Sequence, residues 1–210
     1  MTAKMTSTAA PDYLTTLSIV AAAFRHKTAS RPPAKAVVNA LLQAEKAAKQ
    51  QRLTYPLDSL LGQWRLCFTA PRQAHLHGGL ALGKGFYVPQ IAPAQISFDT
   101  QAPTSTQSLG STTIRNQIQC GPLLCKLSGP AQYLGKKNLL AFDFTHIQLS
   151  LFSRAVYTGA FPGKKAIVTD FYDQPISKLP FFAFFVVSET FIAARGRGGG
   201  LALWVKQASG

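Results

Sequence analysis

The chain has 210 residues, 47% of them hydrophobic and only 14% charged, and its 22 Lys and Arg against 8 Asp and Glu give a formal charge of +14. That length favours one domain with a real core, and the charge favours a polyanionic partner. The longest apolar run, from Phe181 to Val187, is far short of the roughly 20 residues of a membrane-spanning helix, which excludes such a span.

The first eleven residues lack the apolar centre of a signal peptide and read as a flexible N-terminus. Residues 12–27 carry Tyr13, Leu17, Val20 and Phe24 at helical spacing behind Asp12, which predicts a helix. A second helix is expected over 32–50, with Pro32 and Pro33 at its start and a stripe of Val37, Val38, Leu41 and Leu42 opposite Lys46 and Lys49. "PLDSLLG" predicts a single helical turn that ends at Gly62.

Beyond it the helical period disappears, and residues 12–55 therefore read as a helical segment before a β domain over 56–210. In "QWRLCFTA", Trp64, Leu66 and Phe68 alternate with Arg65, Cys67 and Thr69, the pattern of a half-buried strand. Residues 86–98 contain Pro89 and Pro93 and belong at an edge or are broken. In "TTIRNQIQ", Ile114, Asn116 and Ile118 share one face. Further strands are expected at 122–133, 138–152, 166–172, 180–187, 190–195 and 200–206. Eight or nine strands after two helices, with no β-α alternation, predict a mainly β chain that forms a closed or nearly closed antiparallel barrel.

The segment over 180–187 places Phe181, Ala183, Phe185 and Val187 on one face and Phe182, Phe184 and Val186 on the other. One face meets the interior, and the other needs a helix or a lipid or protein partner to cover it. "RGRGGG" completes neither a dinucleotide fingerprint nor a P-loop, and it reads as the turn of a C-terminal hairpin whose Arg195 is able to meet an anionic headgroup.

Catalytic patterns are poor. Asp143 and His146, like Asp170 and Asp173, lie three apart in expected strands and so point to opposite faces. Cys67, Cys120 and Cys125 with His75 and His77 give no metal-ligand spacing and read as reduced thiols and loop histidines. Neither an enzyme nor an essential cofactor is expected.

Two stretches carry a resemblance. "LDSLLGQWRLCFTA" and "ETFIAARGRGGGLALW" resemble the opening and closing strands of the plastid lipid-associated protein (fibrillin) family, and the C-terminal stretch is most similar to its cyanobacterial branch. Asn116 falls where many members have an Asn in a central strand. The resemblance implies a lipocalin-like barrel on a thylakoid or lipid-globule surface that binds or shelters a hydrophobic molecule. The chain is more basic than the family pattern.

The expected ligand is an acyl lipid, quinone, carotenoid or chlorophyll derivative, lined by Trp64, Leu66, Phe68, Ile114, Asn116, Phe142, Phe144, Phe171, Arg195 and Trp204. An anionic membrane surface is the expected partner, met by Lys136, Lys137, Lys164 and Lys165 and by Phe181, Phe182, Phe184 and Phe185. Nucleic acid ranks behind it, because no basic helix or basic aromatic stripe is present. The alternative is a scaffold or assembly factor that docks on a photosynthetic or membrane protein complex without a ligand. A bilin carrier lacks an attachment motif around the three cysteines.

Overall fold

The structure, a computed structural model, describes residues 11–26, 30–77, 80–82, 84–89, 91–100, 112–161 and 169–207. Two helices come first, α1 (Asp12–His26) and α2 (Ala34–Gln51), and a 3-10 turn over Leu57–Ser59 leads into the strands. The strands are β1 (Gly62–Ala70), β2 (His75–His77), β3 (Leu80–Leu82), β4 (Phe86–Tyr87), β5 (Ala94–Thr100), β6 (Thr112–Cys120), β7 (Leu123–Leu134), β8 (Leu139–Phe142) and β9 (His146–Leu151). They continue with β10 (Arg154–Ala160), β11 (Phe181–Val187), β12 (Phe191–Gly196) and β13 (Leu201–Lys206); a short helix, α3 (Thr169–Asp173), precedes β11.

The barrel closes through eight antiparallel strands in the order β7-β6-β5-β1-β13-β12-β11-β8, with β8 returning to β7. The divider is β7, whose far side is split. Residues 123–128 pair with β9, and residues 131–134 pair with β8. Gly129 and Pro130 stand between the two halves. Here the chain crosses from β8 to β9, with the Asp143 amide on the Pro130 carbonyl (3.1 Å) and the Thr145 amide on that of Ser128 (3.0 Å). A Cβ on Gly129 would lie 1.8 Å from the Asp143 carbonyl oxygen, so only glycine fits this crossing. Strands β9 and β10 then run on from the barrel as a flap.

Two β-bulges decide what fills the interior. Pairing slips between Leu66 and Phe68 on β1, and between Phe184 and Val186 on β11. The first turns Phe68 away from the face of Trp64 and Leu66, against α2 and Tyr87, whose ring meets it edge-on at 5.1 Å. The second puts Val187 on the face of Phe182 and Phe184 and leaves Phe185 and Val186 outside. Simple alternation, which places Phe68 inside and Val186 with Phe184, fails at both strands.

The interior holds Leu60, Trp64, Ile96, Phe98, Ile114, Leu140, Phe142, Phe184, Ile192 and Trp204. Trp64 and Phe98 are fully buried, and the Trp64 indole N–H donates to the Leu60 carbonyl at 2.7 Å. Phe182 stacks on Phe142 at 5.1 Å and meets Trp204 edge-on at 5.4 Å. A second core lies outside the barrel, where the stripe of Val37, Val38, Leu41 and Leu42 and the α1 residues Leu17 and Val20 cover the outer faces of β1 and β11–β13. The expected segment at 138–152 is two strands, because the Gly129 crossing interrupts it. The described part of 166–172 is α3, not a strand, and Phe171 packs there with Ala141 and Leu179 outside the barrel.

Candidate functional site

Of the residues expected to line a ligand cavity, Trp64, Ile114, Phe142 and Trp204 form the buried interior, with Leu66 and Phe144 packed against them. Asn116 sits on the same inner face, between Ile96 and Leu127 in the pairing register. Phe68 and Phe171 lie outside for the reasons given above. Arg195 also faces out: its guanidinium grips Glu45 of α2 with two bonds (2.9 and 2.6 Å) and donates a third to the Gly199 carbonyl. It fastens α2 to the C-terminal hairpin and is not free to meet a ligand. Burial alone would raise the Glu45 carboxyl, but hydrogen bonds from Arg195 and Lys49 hold it below its ordinary value.

The hairpin turn itself behaves as expected. The Gly196 amide bonds to the Gly200 carbonyl, and Gly199 takes φ +86° with the Arg72 side chain across it, 2.7 Å from where a Cβ would stand.

The expected membrane residues divide. Lys136 and Lys137 are exposed on the β7–β8 turn, where they line a cleft of about 300 Å³ with Lys49 and Arg52 at the end of α2. Lys164 and Lys165 lie outside the described residues. The four phenylalanines do not form one exposed patch. Phe182 and Phe184 point into the barrel, Phe185 packs under the helices, and Phe181 packs against the Ala141–Phe171–Leu179 group.

Asn138 ties the linker after α2 to this end. Its amide donates to the Leu53 carbonyl (2.6 Å) and accepts from the Tyr55 amide (2.9 Å), while the Tyr133 hydroxyl donates to the Tyr55 carbonyl (2.8 Å). Burial pushes the Tyr133 phenol up to about 12, which keeps it a donor.

Exposed apolar side chains gather at the opposite end. Ile91 (85% exposed), Ile118, Leu123, Leu151, Phe152 (75%), Val156 (62%) and Tyr157 all lie where the β6–β7 and β9–β10 turns meet. Pairing puts Leu123 opposite Leu151, the Phe152 amide donates to the Pro122 carbonyl (3.0 Å), and that of Gln119 to Pro93, which brings Ile91 to the same end. The β9–β10 turn is a two-residue connection with both members left-handed, Phe152 at φ 49° and Ser153 at φ 65°. Asn-Gly is the usual choice there; a phenylalanine costs about 1 kcal/mol or more. A bulky apolar residue held in that conformation and left in solvent has no packing purpose within the chain.

Between residues 112 and 161 Asp143 is the one acid, and it is buried, whereas Arg154 follows the turn directly. Reading 138–152 as one strand hides this site; its readable signal is a Phe-Ser step between two apolar, β-prone runs.

Burial pushes the Cys67 thiol up to about 12, which marks it as a packing residue. Among the described residues no three His, Cys, Asp or Glu side chains come together as a metal site, and no helix is long and apolar enough to cross a membrane. Comparison with protein-family models, curated proteins and solved structures finds no match to this chain.

Proposed function

We propose that this chain is a non-enzymatic peripheral protein that docks on an anionic lipid surface through the apolar end of its flap, with the barrel as rigid support. The observation that carries the reading is the gathering of exposed Ile91, Ile118, Leu123, Leu151, Phe152, Val156 and Tyr157 around one pair of turns. Full burial of a Phe or Leu side chain contributes about 1.5–3 kcal/mol, and each basic residue near an anionic surface about 1 kcal/mol. Two inserted side chains with Arg154 give roughly 4–7 kcal/mol, a reversible attachment.

The likeness of both end motifs to the plastid lipid-associated proteins supports the same reading, with a thylakoid or lipid-globule surface as its location. The aromatic side chains already occupying the interior favour a hydrophobic molecule (acyl lipid, quinone or pigment) lying against the flap over one inside the barrel. A second reading is docking on a membrane protein complex. It draws on β10, which has no strand on its outer edge among the described residues and is able to accept one from a partner.

Vesicle co-sedimentation tests the proposal. Binding to vesicles with anionic lipid should weaken with salt yet persist, because the apolar contribution is not screened. No sedimentation with any vesicle, together with recovery of a stoichiometric protein partner, would favour the second reading.

A further inference from the structure

The flap has another face, and its chemistry is different. On the outer side of the sheet, pairing aligns two neighbouring rows across the strands: Gln63, Ser97, Arg115, Ser128 and His146 in one, and Gln95, Gln117, Lys126, Gln148 and Thr158 in the other. These residues line a groove of about 560 Å³. Its floor is the backbone of the intervening row, whose side chains Ile96, Leu127 and Ile147 belong to the opposite face.

A solvated sheet face is ordinarily a mixture of charges of both signs. This one is made of amides and hydroxyls around three basic groups. Lys126 is diagonal in register to both Arg115 and His146, a separation of about 7–8 Å. Arg115 pairs with Asp99 at 2.5 Å and keeps further donors. His146 Nδ1 is engaged by the Thr145 hydroxyl at 2.9 Å, leaving Nε2. The side chains of Gln95, Gln117, Lys126 and Ser128 hydrogen-bond to no other described residue, so these donors and acceptors are unspent within the fold.

Amides both donate and accept, which is what a run of sugar or polyol hydroxyls requires. Lys126 with Arg115 supplies charge-assisted bonds for a single anionic group. We infer that the groove is a binding site for a sugar or polyol bearing one phosphate or sulfonate, with the anion at Lys126 and Arg115 and the hydroxyls along Gln95, Gln117 and Gln148. Such a ligand is either free or the headgroup of a lipid. The site lies on the face opposite the apolar one and does not depend on lipid docking there.

The experiment is an amide-resolved NMR titration of the full chain with glucose 6-phosphate, glucose and inorganic phosphate. Glucose 6-phosphate should saturate, shift resonances of β5, β6, β7 and β9, and bind at least about fivefold more tightly than either fragment. Lys126→Ala should weaken it about tenfold, and Gln117→Ala should weaken glucose 6-phosphate but not inorganic phosphate. Both side chains are at the surface, so an unchanged amide spectrum reports an intact fold.

Vesicles containing phosphatidylinositol 4-phosphate separate the two sources. Recruitment that free glucose 6-phosphate competes away, and that Lys126→Ala loses, identifies a lipid headgroup. Binding of the free compound alone identifies a soluble ligand. If glucose 6-phosphate moves no groove resonance, or if both variants titrate like the parent, the inference is wrong.

Discussion

The two ends of β7 are built from opposite materials. At its C-terminal end Lys136 and Lys137 join Lys49 and Arg52 in a charged cleft, and a hydrogen-bonded Asn138–Tyr55–Tyr133 group fixes the linker from α2. At its N-terminal end the turns carry Leu123, Leu151 and Phe152 into solvent. The strand has 12 residues and spans roughly 36 Å at about 3.3 Å per residue, so the ends lie several Debye lengths apart. The basic end is tied into the fold by hydrogen bonds; the apolar end leaves its large side chains in solvent. On the proposed function, stability and docking fall at different ends and should be separable by mutation.

The point where the two ends join is the most sensitive. Gly129→Ala drives a Cβ into the Asp143 carbonyl and should cost about 3 kcal/mol or more, read as a drop in the denaturation midpoint. A variant as stable as the parent would mean that β8 and β9 do not divide at this residue.

Next in size is the brace on the basic side. Glu45→Gln leaves Arg195 without its carboxylate partner in a largely buried setting and should cost about 2–3 kcal/mol. Because the folded carboxyl lies below its ordinary value, the contribution is complete above the unfolded value of about 4.3. It is lost as pH falls through the lower folded value. The gap between parent and variant in urea melts should therefore be full at neutral pH and close on acidification.

The apolar end should respond in the reverse sense. Phe152→Asn relieves the left-handed turn and should raise stability by about 0.5–1 kcal/mol, while vesicle affinity falls about tenfold. Loss of stability with unchanged binding would break the separation of the two ends. The smallest effect belongs to the distant lysines: reversing Lys136 and Lys137 to Glu should change vesicle affinity by less than about threefold, since that end lies several Debye lengths from the proposed contact.

Much of this architecture is legible in the residues. The stripe of α2, the turn at "PLDSLLG", the glycine hairpin after β12 and the antiparallel barrel all follow from period and turn chemistry. The bulges at Cys67 and Phe185 do not, because inserting one residue changes which side chains face in without altering the apolar content of the strand. That is why alternation misplaces Phe68 and Val186 but not Trp64 and Phe184. Arg195 reads as free in the sequence because its partner, Glu45, lies 150 positions away in a helix. The exposed apolar end is hidden when 138–152 is read as one strand, although Gly129-Pro130 in the facing strand marks the place where the pairing must change.

On the proposed function the apolar end, and not the basic end, meets the lipid. Trp64 and Trp204 are buried, so an added tryptophan at the surface reports its own surroundings. Phe152→Trp and Lys136→Trp should each be mixed with anionic vesicles containing brominated acyl chains. A blue-shifted, strongly quenched emission is expected for the tryptophan at position 152, and an unquenched, water-like emission at position 136. Quenching at 136 with none at 152 would put the lipid contact at the basic end instead.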